Sequence, residues 1–371
     1  MMTPQSEKEL AGMIAGASGP LAVQGGGTRG FAGAGDVLCA AGLAGITLYE
    51  PGALTLVAGA GTPVAEIEAA LAAEHQRLAF EPMDHRALLD TTGTPTIGGV
   101  MAANVSGPRR IAVGAARDFA LGVRFVDGTG RIVKNGGRVM KNVTGYDLVK
   151  LMCGSFGTLG VLSEISMKVL PAPETEASLV IGTELVEQAV AALSRALGSP
   201  FEVTGAAFLP ARGAVVRIEG FETSVAYRLG ALEGILSGFG EIERLNADAS
   251  HALWRGVRDV QPFVGRAGDV WRVSVKPGDA PGIVAALPEG ADYMLDWGGG
   301  LIWVLCAAGT DLRAKIAPFA GHATLVRADA GVRARLGVFQ PEAPALAALT
   351  QGVRARFDPR GVLNGGGVKA A

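Results

Sequence analysis

The sequence predicts an α+β protein with two domains and a C-terminal segment, on three observations. The chain has 371 residues, and domains commonly hold about 100–200 residues. Residues 1 to about 172 are rich in glycine, whereas strand-like and helix-like segments alternate from about residue 175. Pro171 and Pro173 mark the boundary between these regions, because closely spaced prolines disfavour both helix and central strand.

Composition and charge exclude several classes of protein. Lys and Arg total 33 and Asp and Glu total 35, so the chain lacks the basic excess of a nucleic-acid binder. Hydrophobic residues make up 49%, which argues against disorder. The three cysteines, Cys39, Cys153 and Cys306, are too few and too far apart for an iron–sulfur cluster within this chain. The longest apolar stretch, residues 37–49, is too short to span a bilayer, so we expect a soluble, cytoplasmic protein.

The pattern of the second region supports an α/β arrangement element by element. An amphipathic helix is predicted at 184–197, because Leu185, Ala189 and Leu193 fall on one face. The sequence shows no internal repeat. The remaining predictions are strands at 178–182, 206–209, 214–220, 270–275 and 301–306, and helices at 223–237, 281–287 and 343–357.

A glycine loop follows the first predicted strand. Gly25, Gly26, Gly27 and Thr28 come directly after the apolar run 21–23. Residues without Cβ atoms can adopt positive φ and direct several backbone N–H groups at one point, which is how a diphosphate can be bound. The alternative is a plain turn between a strand and a loop.

Two further clusters have the same character. Glycine and hydroxyl residues alternate from Gly93 to Arg110, which suits backbone lying flat against a large planar or phosphorylated ligand. Glycines recur every three residues at Gly154, Gly157 and Gly160 and lead into a strand. For the second of these clusters, a helix end followed by a turn is an equally good interpretation.

In this order, the clusters resemble the FAD-binding domain of the vanillyl-alcohol oxidase and p-cresol methylhydroxylase (PCMH) superfamily. Within it, the chain is similar to the family of FAD-binding E subunits of bacterial glycolate oxidase. The resemblance covers nearly the whole chain. It is carried by Gly107-Pro108-Arg109-Arg110, Arg117-Asp118-Phe119, Val139-Met140-Lys141-Asn142, Gly145-Tyr146-Asp147-Leu148, residues 159–171, Asp296-Trp297-Gly298-Gly299, Gly321-His322-Ala323-Thr324 and residues 357–364.

This resemblance implies a fold and a domain organisation. Residues 1–173 would form a PCMH-type FAD-binding domain of two subdomains. Residues 174–330 would form a ferredoxin-like α/β cap, and residues 331–371 would return to the FAD domain.

The resemblance also implies how FAD is held. Residues 24–35 contain no His and no Cys, the residues that bond covalently to flavin in many relatives, so FAD would be non-covalent. No metal site is expected, because the four histidines do not make the ligand spacing of the metal-dependent relatives. The implied cofactor residues are Gly25, Gly26, Gly27, Thr28, Thr96, Gly98, Gly99, Asn104, Ser106, Gly107, Gly157, Gly160, Val161 and Asn364.

The chain departs from its relatives at the residues of the reaction. Relatives usually end in Asn-Pro-Gly-Lys, whereas this chain has Asn364 followed by three glycines, so a contact of Asn364 with the flavin edge is less secure. Arg258 and Arg272 are candidates to hold a substrate carboxylate, because the guanidinium fork matches a carboxylate. His322 is a further catalytic candidate, and the base is not identified.

The resemblance implies a glycolate oxidase that converts glycolate to glyoxylate, with flavin-mediated electron transfer. Its partners would be a homologous catalytic flavoprotein subunit and an iron–sulfur subunit, with possible attachment to the inner face of the cell membrane through them. Two alternatives stay open. The chain could be a self-sufficient FAD-dependent D-2-hydroxyacid dehydrogenase, or a non-catalytic structural subunit.

Overall fold

The structure, a computed structural model, describes residues 1–30, 33–138 and 145–364. Within these ranges, no helix has both the length and the apolar composition needed to cross a bilayer. The strands are β1 (Leu21–Gln24), β2 (Asp36–Cys39), β3 (Ile46–Glu50), β4 (Thr55–Gly59), β5 (Gln76–Arg77), β6 (Ala120–Val126), β7 (Ile132–Gly136), β8 (Val161–Lys168), β9 (Leu170–Pro171), β10 (Thr175–Gly182), β11 (Gly205–Leu209), β12 (Gly213–Gly220), β13 (Glu241–Leu245), β14 (Asp269–Val275), β15 (Asp292–Asp296), β16 (Leu301–Cys306) and β17 (Gly321–Arg327). The helices are α1 (Glu7–Ala15), α2 (Val64–Ala73), α3 (Arg86–Leu89), α4 (Ile97–Ala102), α5 (Arg110–Val113), α6 (Ala116–Phe119), α7 (Leu148–Met152), α8 (Val186–Leu197), α9 (Glu222–Leu236), α10 (Ala247–Arg258), α11 (Ala280–Ala285), α12 (Leu312–Lys315), α13 (Ala330–Leu336) and α14 (Pro344–Phe357).

The chain divides into two units. Unit 1 contains Met1–Ser106, Gly114–Ala172 and the described residues from Pro341 onward, and unit 2 contains Gly107–Val113 and Pro173–Gln340. The expected boundaries differ at two places. Residues 331–340, expected in the returning segment, belong to unit 2, because Val332 packs into the core of that unit. Gly107–Val113, expected in the FAD domain, also belongs to unit 2.

Unit 1 contains an antiparallel sheet of five strands in the order β3-β4-β8-β6-β7. A separate parallel pair, β1 and β2, is extended by a bridge between Leu21 and Leu363 near the end of the chain. Leu10 and Ile14 of α1 pack into the same core as Leu21 and Leu363. The C-terminal segment therefore lies beside the strand that leads into the glycine loop.

Unit 2 contains one antiparallel sheet of eight strands in the order β13-β10-β12-β11-β15-β16-β14-β17. Each half follows the order β-α-β-β-α-β, and in each half the fourth and first strands are neighbours, followed by the third and second. The halves meet where β11 pairs with β15. The topology is thus repeated, although the sequence shows no repeat. The elements of unit 2 without a sequence prediction are β13, β15, β17, α5, α10, α12 and α13.

The two faces of β10 pack against different helices, because successive side chains of a strand point to opposite faces. Leu179 and Ile181 lie in the core formed with α8 and α9. On the other face, the indole of Trp254 in α10 donates to Ser178 Oγ at 2.9 Å. A Cβ on Gly205 would lie 2.7 Å from the Trp254 ring, so this position of the sheet has to be glycine. Trp254 is therefore a core residue of unit 2.

A buried ion pair fixes Gly107–Val113 within unit 2. Arg109 donates from Nε to Glu219 Oε2 at 2.8 Å and from Nη2 to Oε1 at 2.7 Å. Both side chains are nearly inaccessible to solvent, at 6% and 3% exposure. A bidentate pair of this kind satisfies two charges that water does not reach.

We expect Arg109→Met to lower the free energy of unfolding by about 3–5 kcal/mol, because it leaves the Glu219 carboxylate buried without its main partner. Thermal and denaturant unfolding of the purified protein measure this loss. The control is Arg212→Met, which removes an exposed pair with Glu243 and should change stability by less than about 1 kcal/mol. Equal effects of the two variants would contradict the assignment. The double variant Arg109→Met/Glu219→Met should recover much of the loss.

Candidate functional site

A cleft in unit 1 is lined mainly by glycine and small side chains. It holds about 230 Å³ of space that water can enter. Most of the predicted cofactor residues line it. These are Gly25, Gly26, Gly27, Thr28, Thr96, Gly98, Gly99, Gly157, Gly160, Val161 and Asn364. Arg29, Met83, His85 and Phe156 also line the cleft and were not predicted.

Three predicted cofactor residues, Asn104, Ser106 and Gly107, lie outside this lining. Asn104 Oδ1 accepts a hydrogen bond from the Arg117 amide, and Ser106 Oγ accepts one from the Ala116 amide, each at 2.9 Å. Asn104 and Ser106 therefore connect the chain before the segment 107–113 with the chain after it. Gly107 belongs to unit 2.

The floor of the cleft is formed by two loops whose backbones touch. A Cβ on Gly26 would lie 1.6 Å from the Thr94 carbonyl oxygen, and a Cβ on Gly93 would lie 1.7 Å from the Gly26 carbonyl oxygen. These glycines are thus required by the packing of the protein itself. Gly27 differs, because its Cβ position is open except for Gln24 at 4.0 Å and its φ is +72°.

Three consecutive backbone amides of this loop are available to bind an anion. The N–H groups of Gly26, Gly27 and Thr28 donate to no oxygen within the described part of the chain. Consecutive free amides around a residue of positive φ form a concave site for an anion. A phosphate group would supply the acceptors that these amides lack.

Asn364 holds the wall of the cleft together. Its Oδ1 accepts from the Val23 amide at 2.7 Å, and its Nδ2 donates to the Phe156 carbonyl oxygen at 2.8 Å. The carboxamide thereby connects β1 with the turn at Phe156, and its φ is +45°. These bonds make Asn364 a positioning residue of the cleft. The glycines that follow it, residues 365–367, and the motif at 139–142 lie outside the described residues.

Arg29 gives the cleft its charge. Its Nη1 donates to the Gly99 carbonyl oxygen, whereas its Nε is buried and has no hydrogen-bond partner in the described residues. Burial lowers the pKa of Arg29 to about 10, so it remains protonated at neutral pH. The described lining contains no Asp, Glu or Lys, and the cleft is therefore positive.

A second group of functional side chains, the arginine–tryptophan cluster, lies in unit 2 and consists of Arg110, Arg272, Trp297 and His322. The guanidinium carbons of Arg110 and Arg272 lie 4.7 and 5.0 Å from the centroid of the Trp297 ring. The Arg272 side chain makes no hydrogen bond or ion pair with any described residue. Burial, together with the charge of Arg110, lowers the pKa of Arg272 to about 10.

The turn that carries Trp297 is conformationally unusual. Trp297, Gly298 and Gly299 have φ values of +55°, +67° and +103°. A tryptophan in the left-handed region is strained, and the Asp296 carboxylate accepts from its amide at 2.7 Å. The Trp297 indole donates to the Gly107 carbonyl oxygen at 3.1 Å, which fixes the ring beside the segment that carries Arg110.

His322 is on β17, and β17 pairs with β14, which carries Arg272. Partial burial and the positive charges of Arg272 and Arg110 lower the pKa of His322. Its imidazole is therefore neutral at neutral pH and can accept a proton. The cluster therefore contains two cations that can bind an anion, Arg110 and Arg272, and one neutral base, His322.

Arg258, the other predicted carboxylate ligand, is occupied. It donates from Nε and Nη2 to the two carboxylate oxygens of Asp259 at 2.9 and 2.7 Å. The described residues contain no group of three or more His, Cys, Asp and Glu side chains arranged for a metal ion.

Gly26 and Gly27 are expected to respond differently to substitution by alanine. Gly26→Ala should lower stability by about 3 kcal/mol or more, because its Cβ would collide with the Thr94 backbone. Gly27→Ala should lower stability by about 1 kcal/mol, which is the strain of an alanine at positive φ. Thermal unfolding of the two purified variants compares them. A Gly27→Ala variant as unstable as Gly26→Ala would refute this account of the loop.

Comparison with known proteins identifies relatives of this chain. A family model described as a FAD binding domain matches residues 1–136. Glycolate oxidase subunit GlcE of Escherichia coli (strain K12) is 37% identical over 353 residues, which cover 94% of this chain and 92% of that protein. Glycolate oxidase subunit GlcD of Bacillus subtilis (strain 168) is 39% identical over 99 residues, 27% of this chain and 21% of that protein.

Solved structures give the same fold. Alkyldihydroxyacetonephosphate synthase superposes with a TM-score of 0.68 at 15% sequence identity, covering 98% of this chain and 76% of that one. At this identity the likeness shows the mixed α/β fold alone. The similarity to GlcE over almost the full length of both chains, together with the FAD binding domain, means that this chain belongs to the GlcE family of glycolate oxidase subunits.

Proposed function

We propose that this chain is the FAD-binding subunit of a glycolate oxidase complex and takes part in the flavin-mediated oxidation of glycolate to glyoxylate. The observation that carries the proposal is the row of amides at Gly26, Gly27 and Thr28 that have no partner among the described residues. They lie beside Arg29 in a cleft whose described lining has no acidic residue. This arrangement suits a dinucleotide whose diphosphate is negatively charged. Membership of the GlcE family supports glycolate as the substrate.

FAD would lie against the glycine-lined cleft of unit 1. The loop amides would hold the diphosphate, and Gly98 and Gly99 would let the cofactor approach the backbone closely. When bound, the flavin supplies the two-electron chemistry of alcohol oxidation. The protein contributes a binding surface and a positive charge.

We propose that the cofactor is non-covalent. Residues 24–35 contain no His or Cys, and the lining histidine is His85. Acid precipitation of the purified yellow protein should therefore release the flavin into the supernatant. Flavin that stays with the precipitated protein, and is released from a His85→Ala variant, would overturn this proposal.

The arginine–tryptophan cluster of unit 2 is proposed to bind the carboxylate of the 2-hydroxy acid. Arg272 has an unused guanidinium fork, and Arg110 adds a second cation beside the same ring. His322, neutral at neutral pH, is the candidate to accept the hydroxyl proton. Unit 2 would then act as the ferredoxin-like cap, a role that the β-α-β-β-α-β order of its halves supports.

Electrons that leave this flavin need an acceptor outside the described chain. Cys39, Cys153 and Cys306 are buried and free, and burial raises the pKa of Cys153 to about 12. We propose a homologous flavoprotein subunit and an iron–sulfur subunit as partners. The similarity to GlcD supports the first of these. We propose a cytoplasmic location, with contact to the inner face of the membrane through the partners.

Anaerobic mixing with glycolate tests this proposal against a self-sufficient dehydrogenase. The FAD-loaded single chain should stay yellow on the timescale of turnover, whereas the copurified complex should bleach. Rapid bleaching of the single chain would show that it oxidises glycolate unaided. A purified complex whose bound flavin is not reduced by glycolate would refute the proposed substrate.

Arg272→Met is expected to raise the KM of the complex for glycolate by roughly 10- to 100-fold, because a charged hydrogen bond to the carboxylate is lost. Removal of this cation should also raise the pKa of His322 toward its ordinary value, so that the acid limb of the pH–rate profile moves to higher pH. FAD content should not change. Steady-state kinetics from about pH 5 to 8 measure both effects.

The matched control is Arg258→Met, whose fork already binds Asp259, and its KM should stay within about twofold of wild type. An unchanged KM and pH profile in Arg272→Met would mean that glycolate binds in the partner subunit and that this chain only carries electrons.

A further inference from the structure

We propose that Arg29 is the counter-charge for the cofactor's diphosphate and makes the cleft selective for dinucleotides over uncharged flavins. This inference rests on the proposed binding of FAD. It concerns a residue that the glycine motif and the resemblance did not include.

Arg29 is placed by the same loop that presents the free amides. It follows Thr28 directly, and it is one of the residues that line the cleft. One of its nitrogens, Nη1, donates to the Gly99 carbonyl oxygen, which ties the loop to α4. This bond holds the guanidinium in place and uses one of its N–H groups.

The buried Nε points to a ligand. It has no acceptor among the described residues, although buried polar groups in proteins are almost always hydrogen-bonded. A purely structural role for Arg29 needs only the hydrogen bond from Nη1 to Gly99. It does not explain why Nε is buried without an acceptor. An anion in the cleft would complete the set of hydrogen bonds.

The charge of the cleft favours a diphosphate as this anion. The described lining contains no Asp, Glu or Lys, so Arg29 is its permanent charge. The free amides of Gly26 to Thr28 contribute dipoles and no net charge. A dianionic diphosphate at this loop would therefore be attracted by the positive charge of Arg29. Riboflavin and adenosine carry no phosphate and would gain no such attraction.

The same arrangement predicts opposite effects in the empty and loaded protein. Without an anion, the buried Nε of Arg29 destabilises the protein, because its desolvation is not compensated by a hydrogen bond within the described residues. Arg29→Met should therefore leave the Tm of the deflavinated protein unchanged or raise it, and should lower the Tm of the FAD-loaded protein.

The experiment uses the deflavinated full-length chain as wild type, Arg29→Met, Arg29→Lys and the control Arg117→Met, whose side chain is half-exposed and outside the cleft. FAD, riboflavin, ADP and adenosine are titrated by calorimetry and by thermal shift. Arg29→Met should weaken FAD and ADP by the same factor, roughly 10- to 100-fold, and change riboflavin and adenosine by less than about twofold. Arg29→Lys should restore part of the loss, because it keeps the charge without the fork.

Other results would overturn the assignment. If riboflavin weakens as much as FAD, Arg29 contacts the isoalloxazine. If the Tm of the deflavinated Arg29→Met protein falls and all four ligands weaken, Arg29 is a structural tie to Gly99. A wild-type chain that binds ADP but not FAD would refute the proposed function while the ADP titration still tests Arg29.

Discussion

The cleft of unit 1 depends on direct contact between two stretches of backbone. The loop 25–27 and the segment 93–96 approach so closely that a single methyl group on Gly26 or Gly93 would overlap a carbonyl oxygen. No side chain separates them, so the amides of the first loop are held in place without a ligand. Preorganisation of this kind reduces the ordering that binding would otherwise require. The position of Arg29, tied to Gly99, follows from the same contact.

The arginines of this protein fall into two groups, and the contrast singles out Arg29 and Arg272. Arg360 donates to the carbonyl oxygens of Ile14 and Gly128, and Arg109 fills both oxygens of Glu219. These guanidinium groups fasten segments of chain and have their donors engaged. Among the described residues, the buried Nε of Arg29 has no acceptor, and the Arg272 guanidinium contacts the face of the Trp297 indole without a hydrogen bond or ion pair. Because unpaired buried charge is expensive, such residues are retained where something outside the chain pairs with them.

The sequence predicts the glycine loop and much of the sheet of unit 2, because both leave local patterns. Gly25 to Thr28 follow an apolar strand, and the predicted helix at 184–197 corresponds to α8. The resemblance assigns Asn104 and Ser106 to the cofactor, and the structure adds that their side chains accept hydrogen bonds from the amides of Arg117 and Ala116. Arg29 was missed, although it is the single charged residue between Glu9 and Asp36. The repeated topology could not be predicted, since strand order depends on tertiary pairing and the halves share no sequence pattern.

The position of residues 107–113 within unit 2 has a consequence for folding during synthesis. Arg109 reaches Glu219, 110 positions further along, and Val23 is held by Asn364, 341 positions further along. On the ribosome, Arg109 must therefore wait for its carboxylate until Glu219 has emerged. The wall beside β1 is completed only after Asn364 has emerged. A gene fragment cut at Ala172 would separate each of these pairs, so neither half expressed alone would contain a whole unit.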